Sequence, residues 1–269
     1  DRMSWVITVY LLTMTIGLPV YGKLGDQIGR KPLFVTAILL FSAGSLLGAL
    51  SWNIDLLIVA RAVQGLGGGG LMVLSQAIVA DVVPARQRGR YMGVMGAVFG
   101  LSSVLGPLLG GFFTEGPGWR WALWFNLPVC LLALVVAVAF LHLPRRGAGR
   151  RTDWAGTILM ATGTTALILL SSWGGHRYEW TDPVIFALGA LFLVCALAFV
   201  LVELRAADPL IPMALFRQRN FTLSTAAGLI IGVAMFGCIA YLPTYIQMVH
   251  GLSPTAAGLM MTPMMAGMM

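Results

Sequence analysis

Charge is what this sequence has least of. Only 10% of its 269 residues are Asp, Glu, Lys or Arg, against about 25% in ordinary soluble domains. With 58% hydrophobic residues and a mean hydropathy of +0.87, a water-soluble core could not hide the apolar surface, so lipid must be the solvent for most of it. Cysteine is scarce too. Cys130, Cys195 and Cys238 each fall inside an apolar run and share no metal-ligand spacing, so they read as packing residues and no metal site is expected. His142, His176 and His250 lie near the ends of such runs without partners at ligand spacing. There is no HExxH, no GxSxG and no pair of carboxylates within an apolar run, which argues against an enzyme. The first residues lead into a full-length apolar run, so they are not expected to be a cleavable signal peptide.

What is present is a succession of membrane-length apolar runs. A spanning helix needs about 20 mostly apolar residues, and runs of that kind occur near 4–22, 33–51, 56–80, 91–113, 121–141, 154–172, 183–202 and 222–247, with a ninth beginning near Pro254. The fold class expected is an all-α polytopic membrane protein. The net charge of +7 does not point to nucleic acid, because its carriers sit in short loops. Lys23, Arg30 and Lys31, then Arg86, Arg88 and Arg90, then Arg145, Arg146, Arg150 and Arg151, then Arg205, Arg217 and Arg219 fall in alternate loops; the intervening ends hold only Arg2, Arg120 and Arg177. The basic loops are therefore expected to face the cytoplasm, with Asp1 outside. Trp5, Trp52, Trp119, Trp121, Trp173 and Trp180 cluster near the outer ends, as an interfacial belt does.

Several groups stand out against this background. Gly22 to Leu33 is a dense charged tract between two apolar runs, read as a turn; with Asp81 at the end of the third run, Asp26, Arg30 and Lys31 form a candidate gating charge network. Arg61 is the one charge well inside a run, at a cost of about 2.5–3.5 kcal/mol on insertion scales. Either it reaches back to the headgroups or it faces a watery interior with a partner, and Gln64, on the same helical face, could share that partner. Gly65 to Gly70 matches the G-x-G-x-x-G pattern, but it lies mid-run with no strand before it, so close helix crossing is the better reading. Gly96, Gly100, Gly106, Pro107, Gly110 and Gly111 mark either a packing seam or a flexible one, with a bend expected at Pro107. Tyr10, Gln76, Asn126, Tyr241 and Tyr245 are candidates for a cavity accepting a bulky amphipathic ligand; for the aromatic tracts, an interfacial belt explains the residues equally well.

Together these tracts resemble the major facilitator superfamily. Gly22 to Leu33 looks like its loop motif between the second and third helices, Leu57 to Gly69 like its fourth-helix motif, and Gly100 to Gly111 like the fifth-helix motif of its proton-driven exporters. The Trp119-Arg-Trp run with Asn126 and Pro128, the tract from Pro209 to Phe221, and the helix pair begun by Asp153-Trp154-Ala-Gly156 are similar to the fourteen-helix drug:proton antiporters. The resemblance implies a partial major facilitator fold, an internal piece of a longer protein running from the second helix into the tenth. Residues 1–143 would belong to the N-terminal half, 144–205 to a central linker pair and 206–269 to the start of the C-terminal half. It further implies alternating access in a bacterial inner membrane, with efflux of amphipathic compounds exchanged for protons and no cofactor beyond the proton gradient. Arg61 and Gln64 would serve proton coupling, with the acidic proton carrier expected upstream of Asp1. Export of an endogenous metabolite, antibiotic or lipid, and a non-transporting sensor or scaffold, are the rival readings.

Overall fold

In hydrocarbon, a backbone N–H or C=O has no water to bond, so each apolar run must satisfy its own backbone as a helix. The computed structural model describes residues 2–143, 153–175, 177–206 and 209–252, with short stretches at 256–257, 260–261 and 263–264, and forms no strand among them. Eight long helices occupy the eight runs: α1 (Arg2–Ile28), α2 (Arg30–Ala49), α3 (Ile54–Val82), α4 (Arg88–Glu115), α5 (Arg120–Phe140), α6 (Trp154–Trp173), α7 (Pro183–Arg205) and α8 (Arg219–His250). Among the described residues, six of them (α1, α2, α3, α5, α6 and α7) are long and apolar enough to cross a bilayer. The start of the ninth run, near Pro254, and the basic tract 144–152 lie outside the described residues.

The charged tract differs from its expected form. It is not a turn from 22 to 33: α1 continues through Gly22, Lys23 and Asp26 to Ile28, and Gly29 alone breaks the chain. Gly29 has φ 102°, a conformation that carries a steric penalty once a Cβ is present. The helix resumes at Arg30, and Pro32 fits within its first turn, where its missing N–H has no intrahelical partner to lose. The tract's charges therefore ride on two helix ends, which fixes their directions far better than a loop would.

Side-chain caps set other boundaries. Asn53 Oδ1 accepts the Leu56 N–H at 2.7 Å, Asp153 Oδ1 accepts the Gly156 N–H at 2.9 Å, and Asp182 Oδ1 accepts the Val184 N–H at 2.8 Å, with Pro183 opening α7. Asp182→Ala is expected to lower stability by about 1 kcal/mol, a typical N-cap loss. Asp182→Ser should recover most of it in thermal unfolding of the purified protein.

The chain divides into two compact units, one comprising Asp1–Val82 and Leu123–Met213, the other Val83–Ala122 and Ala214–Met269. In the first, α3 packs against both α1 and α2. Its glycines make this possible. A Cβ on Gly65 or Gly69 would strike the α1 backbone at Tyr10 and Met14, and one on Gly67 would strike the α2 backbone at Ala37 and Phe41. The sequence reading of this tract as a crossing device, rather than a phosphate loop, agrees with that geometry. Leu123, Cys130 and Ala137 of α5 face α2, the last two packing with Ile38.

α6 and α7 form a hairpin joined to α1 at one end by Trp5 against Trp173, with ring centroids 6.0 Å apart, and by Thr8 and Ser172 hydroxyls 3.3 Å apart. At the other end Lys23 Nζ donates to the Pro209 carbonyl at 3.4 Å. Glu203, only 3% exposed, secures the chain after α7 by accepting the Ile211 N–H at 3.1 Å. In the second unit, α4 runs unbroken through position 107, whose side chain lies outside the described residues. A Cβ added to Gly96, Gly106 or Gly110 would meet nothing within 4 Å.

Candidate functional site

Arg61 lies seven residues into α3, about 10 Å below its start at 1.5 Å per residue. Its guanidinium turns toward α1 instead of back along its own helix. Nε donates to the Val6 carbonyl at 3.3 Å, and the guanidinium carbon sits 4.1 Å from the centroid of the Tyr10 ring. Nη1 donates to Gln64 Oε1 at 2.5 Å. Gln64, one turn along the same face, then donates through Nε2 to Ser45 Oγ at 2.8 Å, and Asn126 Nδ2 reaches the same oxygen at 3.5 Å. One polar chain thus joins α1, α3, α2 and α5.

Burial makes this chain rigid. Gln64 is 1% exposed and Ser45 is fully buried. A Cβ on Gly44 would stand 2.5 Å from the Gln64 nitrogen, so α2 presses against the backbone that carries the amide. The guanidinium has five N–H donors, and the described partners take one on Nε and one on Nη1. Among the described residues no carboxylate pairs with it. The site therefore offers a fixed positive charge, stacked on an aromatic face, to an anionic group or a carboxylate that comes alongside.

At the other end of these helices Arg30 closes a second constellation. Its Nη1 lies 2.8 Å from Asp81 Oδ2 and also donates to the Ala77 carbonyl, while Nη2 lies 3.1 Å from Asp26 Oδ1. One guanidinium thus clamps the ends of α1 and α3 to the start of α2. Lys31 takes another direction, donating to the Val138 carbonyl of α5 at 3.0 Å. Asp81→Asn is expected to weaken the clamp by roughly tenfold, since hydrogen bonds to charged groups contribute about 1.5–3 kcal/mol. The check is faster labelling of a cysteine introduced at Ala77.

The structure thus brings Tyr10, Arg61, Gln64 and Asn126 into one network, and Asp26, Arg30 and Asp81 into another. Gln76 is exposed on α3, and Tyr241 and Tyr245, 77% and 56% exposed, lie on α8 in the other unit. The residue that sequence reasoning missed is Ser45. Its only signal is a hydroxyl midway along an apolar run, one residue after Gly44.

The family model described as Major Facilitator Superfamily matches residues 1–269. An uncharacterized MFS-type transporter of Mycobacterium tuberculosis is 41% identical over 266 residues, 99% of this chain and 39% of the relative. The multidrug transporter protein MdtP of Bacillus subtilis is 37% identical over 268 residues, 100% of this chain and 50% of the relative. The efflux pump dotC of Dothistroma septosporum is 37% identical over 266 residues, 97% of this chain and 46% of the relative. The chain spans about half the length of these relatives, or less.

Proposed function

The chain belongs to the major facilitator superfamily, and from that premise we propose that it is the part of a proton-coupled exporter that carries the coupling charge and one gate. The substrate is an amphipathic drug-like or toxic compound, and the relatives named for multidrug transport and efflux support that choice. No cofactor is used; the proton gradient supplies the energy, and the work is solute movement, not catalysis. The basic loop ends face the cytoplasm of a bacterial inner membrane, as the distribution of Lys and Arg suggests.

The observation that carries the proposal is Arg61. It is a charge held among helices with no carboxylate beside it among the described residues, on a rigid chain through Gln64 and Ser45. A carboxylate meeting this guanidinium is kept ionised by it. Protonating that carboxylate removes the attraction, and the helices that share the network become free to move apart. Arg30 with Asp26 and Asp81 then acts as the cytoplasmic latch, formed in one state and opened in the other.

The test is dye transport by the full-length protein in proteoliposomes. Flux should follow an imposed pH gradient and stop when an ionophore collapses it. Gradient-independent flux of every transported dye would show that the coupling scheme is wrong. If no dye moves but a compound made by the cell does, the substrate assignment falls and the endogenous-product reading replaces it.

A further inference from the structure

We propose that a groove between α2, α3 and α5, at their basic ends, binds an anionic phospholipid of the cytoplasmic leaflet, with an acyl chain in the groove and the phosphate on Lys31. The groove has a volume of about 410 Å³ and is walled by Phe34 of α2, Ile78 of α3 and Ala133, Ala137 and Phe140 of α5. Ser75 also lines it, and its hydroxyl already donates its one proton to the Met72 carbonyl at 3.0 Å, leaving only an acceptor. The interior therefore has little to offer a polar ligand, whose groups would lose water without gaining partners. An acyl chain loses nothing there.

The mouth has the opposite character. Lys31 precedes Phe34 by three residues and shares its helical face. Its ammonium lies 3.0 Å from the carbonyl of Val138, the residue next to the lining Ala137. An ammonium has three donors, Val138 takes one, and no carboxylate pairs with Lys31 among the described residues. The neighbouring Arg30 is committed to Asp26 and Asp81. Lys31 is thus a half-buried cation, with donors to spare, at the mouth of an apolar trough. A phospholipid is the ligand that carries both complements, and the negative leaflet lies on the side that the basic loops face. The orientation comes from the proposed function; the groove and its cation do not depend on it.

The probe is a photoactivatable phosphatidylglycerol, diluted into phosphatidylcholine nanodiscs that hold the full-length protein. Cross-links should map to α5 around Ala133, Ala137 and Phe140, and excess unlabelled phosphatidylglycerol should compete where phosphatidylcholine does not. Lys31→Gln should weaken competition about five-fold, the worth of one basic residue near a membrane surface, and Lys31→Arg should restore it. Ala133→Phe should block labelling while leaving Lys31 untouched, and thermal unfolding of each variant checks that it is folded. Absence of cross-links on α5 would mean that protein covers the groove. Equal labelling by a phosphatidylcholine analogue would mean ordinary lipid solvation. Either result overturns the proposal, and neither bears on whether proton-driven export occurs.

Discussion

Arg61→Leu is expected to cut gradient-driven dye export by about 100-fold, within the range of typical coupling free energies of 1–3 kcal/mol. The protein should still insert, because removing a charge from the span lowers the insertion cost. Two further variants separate a coupling role from a merely structural one. Arg61→Lys keeps the charge, but a single ammonium cannot reproduce a fork that reaches Val6 and Gln64 while stacking on Tyr10. Export about tenfold lower is expected. Gln64→Glu places a permanent counter-ion 2.5 Å from the guanidinium. It should raise thermal stability yet cost as much export as Arg61→Leu, because the charge is no longer available. Normal export by Arg61→Leu would reduce this residue to a prop for Gln64.

Gly67→Leu is expected to prevent assembly of α1, α2 and α3 altogether. A Cβ at Gly67 already stands 2.7 Å from the Ala37 carbonyl oxygen and 2.8 Å from Phe41 Cα, and nearer still to the Phe41 nitrogen. These are backbone atoms, so no rotamer change makes room. Inserting one extra methylene into a tight core costs about 1–3 kcal/mol, and leucine adds several. On the opposite face Gly65→Ala meets the Tyr10 carbonyl and the Thr13 hydroxyl, which would push away the very helix that Arg61 binds. Gly22→Ala is the control: a Cβ there meets nothing within 4 Å. Size-exclusion profiles in mild detergent should show aggregation for Gly67→Leu, a lowered melting temperature for Gly65→Ala, and no loss for Gly22→Ala.

The helices were legible because hydrocarbon leaves the backbone so few options. A run of about 20 apolar residues announces a span, whereas its exact start is set by caps that the structure reveals, at Asn53, Asp153 and Asp182. Arg61 was legible for a related reason, since an intramembrane charge is too costly to be idle. The extent of α1 was harder to see. The density of charge from Gly22 to Leu33 reads as a turn, yet Gly25 packs 3.1 Å, measured from an added Cβ, against Leu74, and such packing keeps the helix going through the tract despite the glycine penalty. Ser45 was hidden because a single hydroxyl in an apolar run carries no periodic signal; it matters only through what Gln64 and Asn126 bring to it.

The α6–α7 hairpin has a consequence of its own. It is moored to α1 near the Trp5 end through Trp173 and Ser172, and near the Lys23 end through the Pro209 carbonyl. Two moorings about 27 Å apart along α1, from Trp5 to Lys23, resist both sliding and pivoting. The pair must therefore travel as cargo of α1 whenever that helix tilts, and its connecting stretch from Gly174 to Asp182 becomes a ready-made pointer. A fluorophore planted there would report the attitude of α1.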